Sequence, residues 1–208
     1  HNMSIVNSST VCSGIEWNSL LGLLVRLKKE KRNREYLLIG TGAYLGLRAS
    51  DLLNLRWSDV MSKDELVITE KKTGKKRHIT INPSLKDILS SVSADLQKNG
   101  KFNMDDYLFA NRQGKKVSIQ YINRLLKKTF TDFGIRTQNA STHTLRKTFG
   151  KRVWEMDGKS ERSLIYLSQI FNHSSIGITR RYIGIVQEDI RDIYMLSLIH
   201  ISEPTRPY

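Results

Sequence analysis

Apolar residues recur at helical spacing along most of this 208-residue chain and switch to strand spacing only once. That switch limits the fold to a mainly α domain carrying one small antiparallel β hairpin, an α+β arrangement. From Glu16 to Glu30, Trp17, Leu20, Leu21, Leu24 and Leu27 mark a helix, which runs into the basic stretch Lys28-Lys29-Glu30-Lys31-Arg32. A second apolar helix covers Tyr36 to Tyr44. A third starts near Ala49-Ser50, with Ser50 or Asp51 as its cap and Leu52, Leu53 and Leu55 directed inward. Leu66 and Ile68, then Ile79 and Ile81, alternate with polar residues and predict the hairpin, with its turn at Lys71 to Arg77.

Asn82-Pro83 is a helix start, cap first and proline at the first helical position, and that helix runs to about Gln97 before Asn99-Gly100 ends it. Lys101 to Lys116 reads as loop around a short buried patch, Tyr107-Leu108-Phe109. Ser118 caps a helix carrying Ile119, Ile122, Leu125 and Leu126, and further helices begin near Thr142, Arg162, Ser174 and Gln187. No internal repeat or Pro/Gly/Ser-rich linker divides the chain.

Charge decides the class of partner. The chain has 34 Lys and Arg against 20 Asp and Glu, a formal net charge of +14, which favours a polyanion, nucleic acid before membrane. The most apolar run, Tyr36 to Leu47, is too short to span a bilayer and is broken by Gly40, Thr41, Gly42 and Gly46. No charged leader precedes an apolar run, and the single cysteine, Cys12, fits a reducing compartment, so a cytoplasmic location is expected. GxGxxG, HExxH and GxSxG motifs are absent, as is a phosphate-binding loop. The five histidines lack metal-ligand spacing, so no metal or other cofactor is expected.

Basic and hydroxyl groups remain. His143 and Arg146, three apart, share a helix face, and Ser141 and Thr142 would cap that helix so that its first amides offer a phosphate site. His173 precedes a helix whose far end brings in Arg180, Arg181 and Tyr182. Taken in order, the segments Gly42-Ala43-Tyr44-Leu45-Gly46-Leu47-Arg48-Ala49-Ser50-Asp51, Lys72-Thr73-Gly74-Lys75, His143-Thr144-Leu145-Arg146-Lys147-Thr148-Phe149-Gly150, Phe171-Asn172-His173 and Thr179-Arg180-Arg181-Tyr182 resemble the catalytic domain of the tyrosine recombinases, the phage and mobile-element integrases. The resemblance covers roughly Glu16 to Met195. The Lys147 to Gly150 and Phe171 to His173 variants look most like integrases of conjugative elements and prophages.

The resemblance implies site-specific DNA recombination without cofactor. Arg48 and Arg146 would clamp the non-bridging oxygens of a phosphodiester, a task suited to a planar, permanently charged guanidinium. Tyr182 would attack the phosphorus, giving a 3′-phosphotyrosyl intermediate and a free 5′-hydroxyl. Lys72 would protonate the leaving oxygen, with Lys71 and Lys75 as competitors; strand alternation would point Lys71 and Lys72 to opposite faces. His143 would accept the tyrosine proton or orient the phosphate, and His173 would bond a non-bridging oxygen. Asp51 would brace a basic neighbour, if it is not simply a helix cap. Lys71, Lys75, Lys147, Arg180 and Arg181 are candidate DNA contacts.

The resemblance also lays out the chain: residues 1–15 as tag or linker remnant, 16–199 as catalytic domain, and 200–208 as a tail, disordered or a cloning artefact. The N-terminal core-binding domain that closes a clamp round DNA in many members is missing from this layout. Ile190, Ile193, Tyr194, Leu196 and Leu198 would form an apolar face docking on a neighbouring protomer. Double-stranded DNA, a homotetramer on DNA formed from monomers, and an accessory DNA-bending or directionality protein are the implied partners. The rival readings are a type IB topoisomerase and a non-enzymatic DNA-binding regulator.

Overall fold

The computed structural model of the chain describes residues 12–185 and 194–196. In order these form α1 (Trp17–Lys29), α2 (Asn33–Leu45), α3 (Ala49–Leu53), α4 (Trp57–Val60), β1 (Glu65–Thr69), β2 (Lys76–Thr80), α5 (Pro83–Lys98), α6 (Ile119–Asp132), α7 (Thr142–Met156), α8 (Glu161–Phe171) and α9 (Ile176–Ile183). This is the mainly helical fold with one hairpin that the periodicity predicts. The chain divides into two compact units at Arg152/Val153, within α7. Among the described residues no helix is long and apolar enough to cross a membrane.

The first unit is built on α2, which packs against α1, α5 and α6. Its Tyr36 to Ala43 are all buried, which explains why the sequence there is a continuous apolar and small-residue run rather than a one-sided stripe. The glycines that interrupt the run are close-approach points: a Cβ at Gly40 would lie 2.5 Å from Ile88 Cδ1, and one at Gly42 would lie 2.4 Å from Leu145 Cδ1. On α1 the stripe Leu20, Leu24 and Leu27 faces the core together with Leu23, whereas Leu21 is exposed. Each such leucine contributes about 1.5–3 kcal/mol on burial.

Two helix caps agree with the sequence. Asn82 Oδ1 accepts the Leu85 amide at 2.8 Å, and Ser118 Oγ accepts that of Tyr121 at 3.1 Å. At α3 the expectation fails. Its N-cap is Arg48, neither Ser50 nor Asp51 caps it, and Asp51 sits buried in the first turn. The four-residue α4 was not expected either; the Asp59 carboxylate holds it by accepting the Arg56 amide at 2.8 Å.

The hairpin pairs Leu66 with Ile79 and Ile68 with Arg77, so one face carries Leu66, Ile68 and Ile79 toward the core. Lys71 and Lys72 lie in the turn beyond β1, where strand alternation does not apply, and Lys71, Lys72 and Lys75 are all exposed. Lys76 and Arg77, expected in the turn, belong to β2.

In the second unit α8 packs against α9, burying Leu164, Leu167, Phe171 and Ile183. Ser160 and Ser175 cap the two helices through Oγ, to the amides of Ser163 and Ile178. Residues 194–196 are helical, with Tyr194 and Leu196 exposed. Ile190, Ile193 and Leu198 of the expected apolar face, most of the helix expected from Gln187, residues 1–11 and the 200–208 tail lie outside the described residues.

Candidate active site

The first unit assembles its site where α2 ends. Gly46 terminates α2 in the left-handed conformation at φ 62°, and this reversal turns its carbonyl toward α7, where it accepts Arg146 Nε at 3.0 Å. Arg146 is only 6% exposed, so its guanidinium is anchored inside the protein rather than waving from the surface. A Cβ on Gly46 would stand 2.2 Å from Phe149 Cδ1 and 2.6 Å from Cγ, too close for the ring to stay where it is. Gly46→Ala therefore combines a left-handed alanine with overpacking, and about 2–4 kcal/mol of stability should be lost, measured as a lower urea midpoint at unchanged m.

The start of α7 is closed by a reciprocal pair: Ser141 Oγ accepts the His143 amide at 3.2 Å, and Thr144 Oγ1 accepts the Ser141 amide at 3.1 Å. Thr142 is the first helical residue, and its amide donates to Asn123 Oδ1 at 3.1 Å. The Thr144 amide donates to the Ser141 carbonyl. The first amides of α7 are thus bonded within the protein, which corrects the expectation of an open amide phosphate site there.

His143 lies one turn before Arg146 and reaches solvent. Desolvation, then the charges of Arg146 and Lys147, hold its pKa below the ordinary imidazole value of 6.5. The ring is therefore neutral, and able to accept a proton, to lower pH than a free histidine. An NMR titration of the His143 Cε1–H, assigned with His143→Gln, should show a midpoint below 6.5; a midpoint above that value would refute the desolvated environment. Because protonation is disfavoured only in the folded state, this group's contribution to stability is complete above 6.5 and is lost as pH falls through the folded-state value.

Lys147 Nζ donates to the Cys12 carbonyl at 2.7 Å, and Thr148 Oγ1 accepts the Ile15 amide at 3.0 Å, so this stretch of α7 also ties down the segment before α1. Arg48 leaves α2 two residues after Gly46, and its Nη1 lies 3.5 Å from Glu70 Oε2. Asp51 Oδ1 accepts the Lys71 amide at 3.3 Å, so it braces the backbone of the hairpin turn beside Lys72. It does not cap α3, and the group it holds is a backbone amide of the turn. The sequence did not single out Glu70, only 2% exposed and paired with Arg48 and Arg77. Its signal was parity: 66, 68 and 70 share one face of the hairpin, and a carboxylate in the third place requires a cation.

In the second unit, Asn172 adopts the left-handed conformation at φ 54° after α8, and the His173 amide returns to the Ser168 carbonyl at 2.8 Å. That turn places the His173 ring 5.1 Å from the Tyr182 ring at 70°, with Phe171 5.2 Å from Tyr182 at 60°. Edge-on contacts of this kind are worth about 0.5–1.5 kcal/mol each and fix ring orientation. His173 Nδ1 is hydrogen-bonded to Thr179 Oγ1 at 2.9 Å, and Thr179 is fully buried. Thr179 appeared in the sequence only as a neighbour of Tyr182, because its role depends on the Asn172 turn folding His173 back. Arg180 and Arg181 are exposed on α9.

A hairpin-bearing helical unit with two anchored arginines, and a histidine–tyrosine pair on the following helices, have the fold of recombinase catalytic domains. The XerA recombinase matches over 93% of this chain and 66% of its own with a TM-score of 0.66 at 20% identity. The XerH site-specific recombinase bound to palindromic difH substrate, a post-cleavage complex, matches 93% of this chain and 56% of its own with the same TM-score. The chain belongs to the phage integrase family, whose profile matches residues 16–188. It is 38% identical over 165 residues to the probable integrase/recombinase YoeC of Bacillus subtilis (strain 168), covering 79% of this chain and 84% of YoeC. It is 27% identical over 157 residues to the tyrosine recombinase XerH of Campylobacter jejuni, covering 74% of this chain but 42% of that protein. The chain spans about half the length of further tyrosine recombinases it matches.

Proposed function

We propose that residues 16–199 are the catalytic module of a site-specific DNA recombinase that integrates or excises a mobile element. The observation that carries this reading is the Tyr182 ring held edge-on to a His173 whose Nδ1 is fixed by buried Thr179. Binding alone would not need the Tyr182 ring fixed in one orientation beside an oriented histidine, whereas a nucleophile that must attack phosphorus in line gains from it.

In the proposed reaction Arg48 and Arg146 neutralise the non-bridging oxygens of the scissile phosphate in double-stranded DNA. Tyr182 Oη attacks phosphorus, and its proton passes to neutral His143. The P–O5′ bond breaks, its electron pair leaves on O5′, and Lys72, braced through Lys71 by Asp51, protonates that oxygen. With Nδ1 committed to Thr179, His173 presents Nε2 to a non-bridging oxygen. The phosphodiester survives as a 3′-phosphotyrosyl ester, so a 5′-hydroxyl from a second duplex rejoins the strand without external energy. Four protomers, monomeric until they meet DNA, would bring two sites through a four-way junction, with an accessory bending protein setting direction. Lys75, Lys147, Arg180 and Arg181 would add phosphate contacts, and binding would weaken steeply with salt.

The test is a duplex drawn from DNA flanking the gene, nicked beside the scissile phosphate so that rejoining fails, incubated without Mg²⁺ or ATP. A denaturing gel should reveal protein joined to DNA, with Tyr182 in the modified peptide. Binding without an adduct would indicate a regulator, and relaxation of supercoiled plasmid without site preference a topoisomerase; either result rejects the proposal.

A further inference from the structure

Glu70 follows the last residue of β1 and is 2% exposed, although it stands at the mouth of a solvent-facing turn. Its backbone closes that turn from both sides: its amide donates to the Lys75 carbonyl at 2.9 Å, and its carbonyl accepts the Gly74 amide at 2.8 Å. Its carboxylate faces inward. Oε1 takes Arg77 Nη1 at 2.7 Å, while Oε2 takes Thr73 Oγ1 at 3.1 Å and lies 3.5 Å from Arg48 Nη1. One buried side chain thus joins the arginine that leaves α2 to the turn that carries Lys72.

A carboxylate is costly to bury and persists where cations and hydroxyl donors compensate it. Here the compensation also fixes geometry. A long arginine side chain samples many rotamers, and holding one edge of its guanidinium on Glu70 restricts where the other edge can point. Two guanidiniums against one carboxylate leave the cluster net positive, so an approaching phosphate is still attracted. We infer that Glu70 is a positioning residue of the cleavage reaction, holding Arg48, from the base of the turn that carries Lys72, in one arrangement before the scissile phosphate arrives. This rests on the reading of Arg48 and Lys72 given above.

Glu70→Gln keeps the shape and removes the charge. On the nicked duplex, with wild type as the control, adduct formation at saturating DNA should slow about tenfold or more, while Kd stays within about twofold. A simple electrostatic burden would give the opposite, tighter binding with cleavage at least as fast. The decisive substrate carries a methylphosphonate at the scissile position. That phosphorus centre is already neutral and needs no cation on the missing oxygen, so the deficit of Arg48→Ala should shrink there. If Glu70 acts through Arg48, the Glu70→Gln deficit should shrink with it, to within about threefold. A loss due to general loosening of the fold would be equal on both substrates.

The double variant Arg48→Ala/Glu70→Gln, in which Arg48 is no longer there to be positioned, should cleave no more slowly than Arg48→Ala alone. Three results would overturn the inference: Glu70→Gln cleaving at the wild-type rate, a deficit that persists on methylphosphonate where that of Arg48→Ala is relieved, or additive losses in the double variant. A wild-type protein that forms no adduct would instead reject the proposed function, and this inference with it.

Discussion

Tyr182→Phe is expected to abolish the covalent protein–DNA product, a loss on the order of 10⁴-fold or more, because the nucleophilic oxygen is gone and no neighbouring group replaces it. Binding should survive. The phenylalanine ring retains the edge contacts to His173 and Phe171, so α9 keeps its place against α8. Unfolding free energy should change by less than about 1 kcal/mol, as for most substitutions that leave packing intact. The comparison needs the nicked duplex on a denaturing gel and a filter-binding or anisotropy titration on the same DNA. Loss of both adduct and binding would mean that Tyr182 holds the structure rather than attacks phosphorus. Retention of the adduct would place the nucleophile on another residue and sink the assignment.

The elements that the sequence made legible are those in which one local pattern settles the outcome. The helix after Asn82-Pro83 has its cap, its proline and its apolar spacing in agreement, and α5 begins there with Asn82 Oδ1 on the Leu85 amide. The hairpin was legible because Leu66, Ile68, Ile79 and Ile81 alternate around one turn. Where two local readings competed, tertiary context decided. Asp51 is a good cap by type, yet from the first turn of α3 it accepts the Lys71 amide of the hairpin turn instead. Ser141 and Thr142 were both candidate caps of α7, and Ser141 takes the role, its Oγ accepting the His143 amide, while the Thr142 amide is bonded by Asn123 on α6.

The candidate residues were legible by residue type and order, but not the groups that hold them. Glu70 hid among the charges of a basic turn because its burial depends on strand register and on an arginine 22 residues earlier in the chain. Thr179 hid because nothing in a threonine three residues before a tyrosine announces a histidine partner. The choice among Lys71, Lys72 and Lys75 remains one of resemblance, since all three are exposed in one turn. Exposed turn lysines acquire distinct roles only when a groove selects among them, and that selection involves DNA geometry as much as protein sequence.

Arg146→Lys isolates the contribution of guanidinium shape from that of charge. Lysine keeps the positive charge but cannot donate to the Gly46 carbonyl through a side-on Nε while aiming a planar fork elsewhere. The Gly46 carbonyl would then lose its charged donor, or the ammonium would bond it and turn away from the phosphate. In either case adduct formation should fall about 10²–10³-fold at saturating DNA, the cost expected for removing one preorganised donor to a developing phosphorane. Affinity should fall far less, and the slope of log Kd against log salt should stay the same, because the number of neutralised phosphates is unchanged. Arg146→Ala, by contrast, should flatten that slope by about one charge and destabilise the fold by about 1–3 kcal/mol, since it strands a buried carbonyl. If Arg146→Lys cleaves within about fivefold of wild type, charge alone would suffice. The Gly46 anchor, and the left-handed turn that builds it, would then be a device of folding rather than of catalysis.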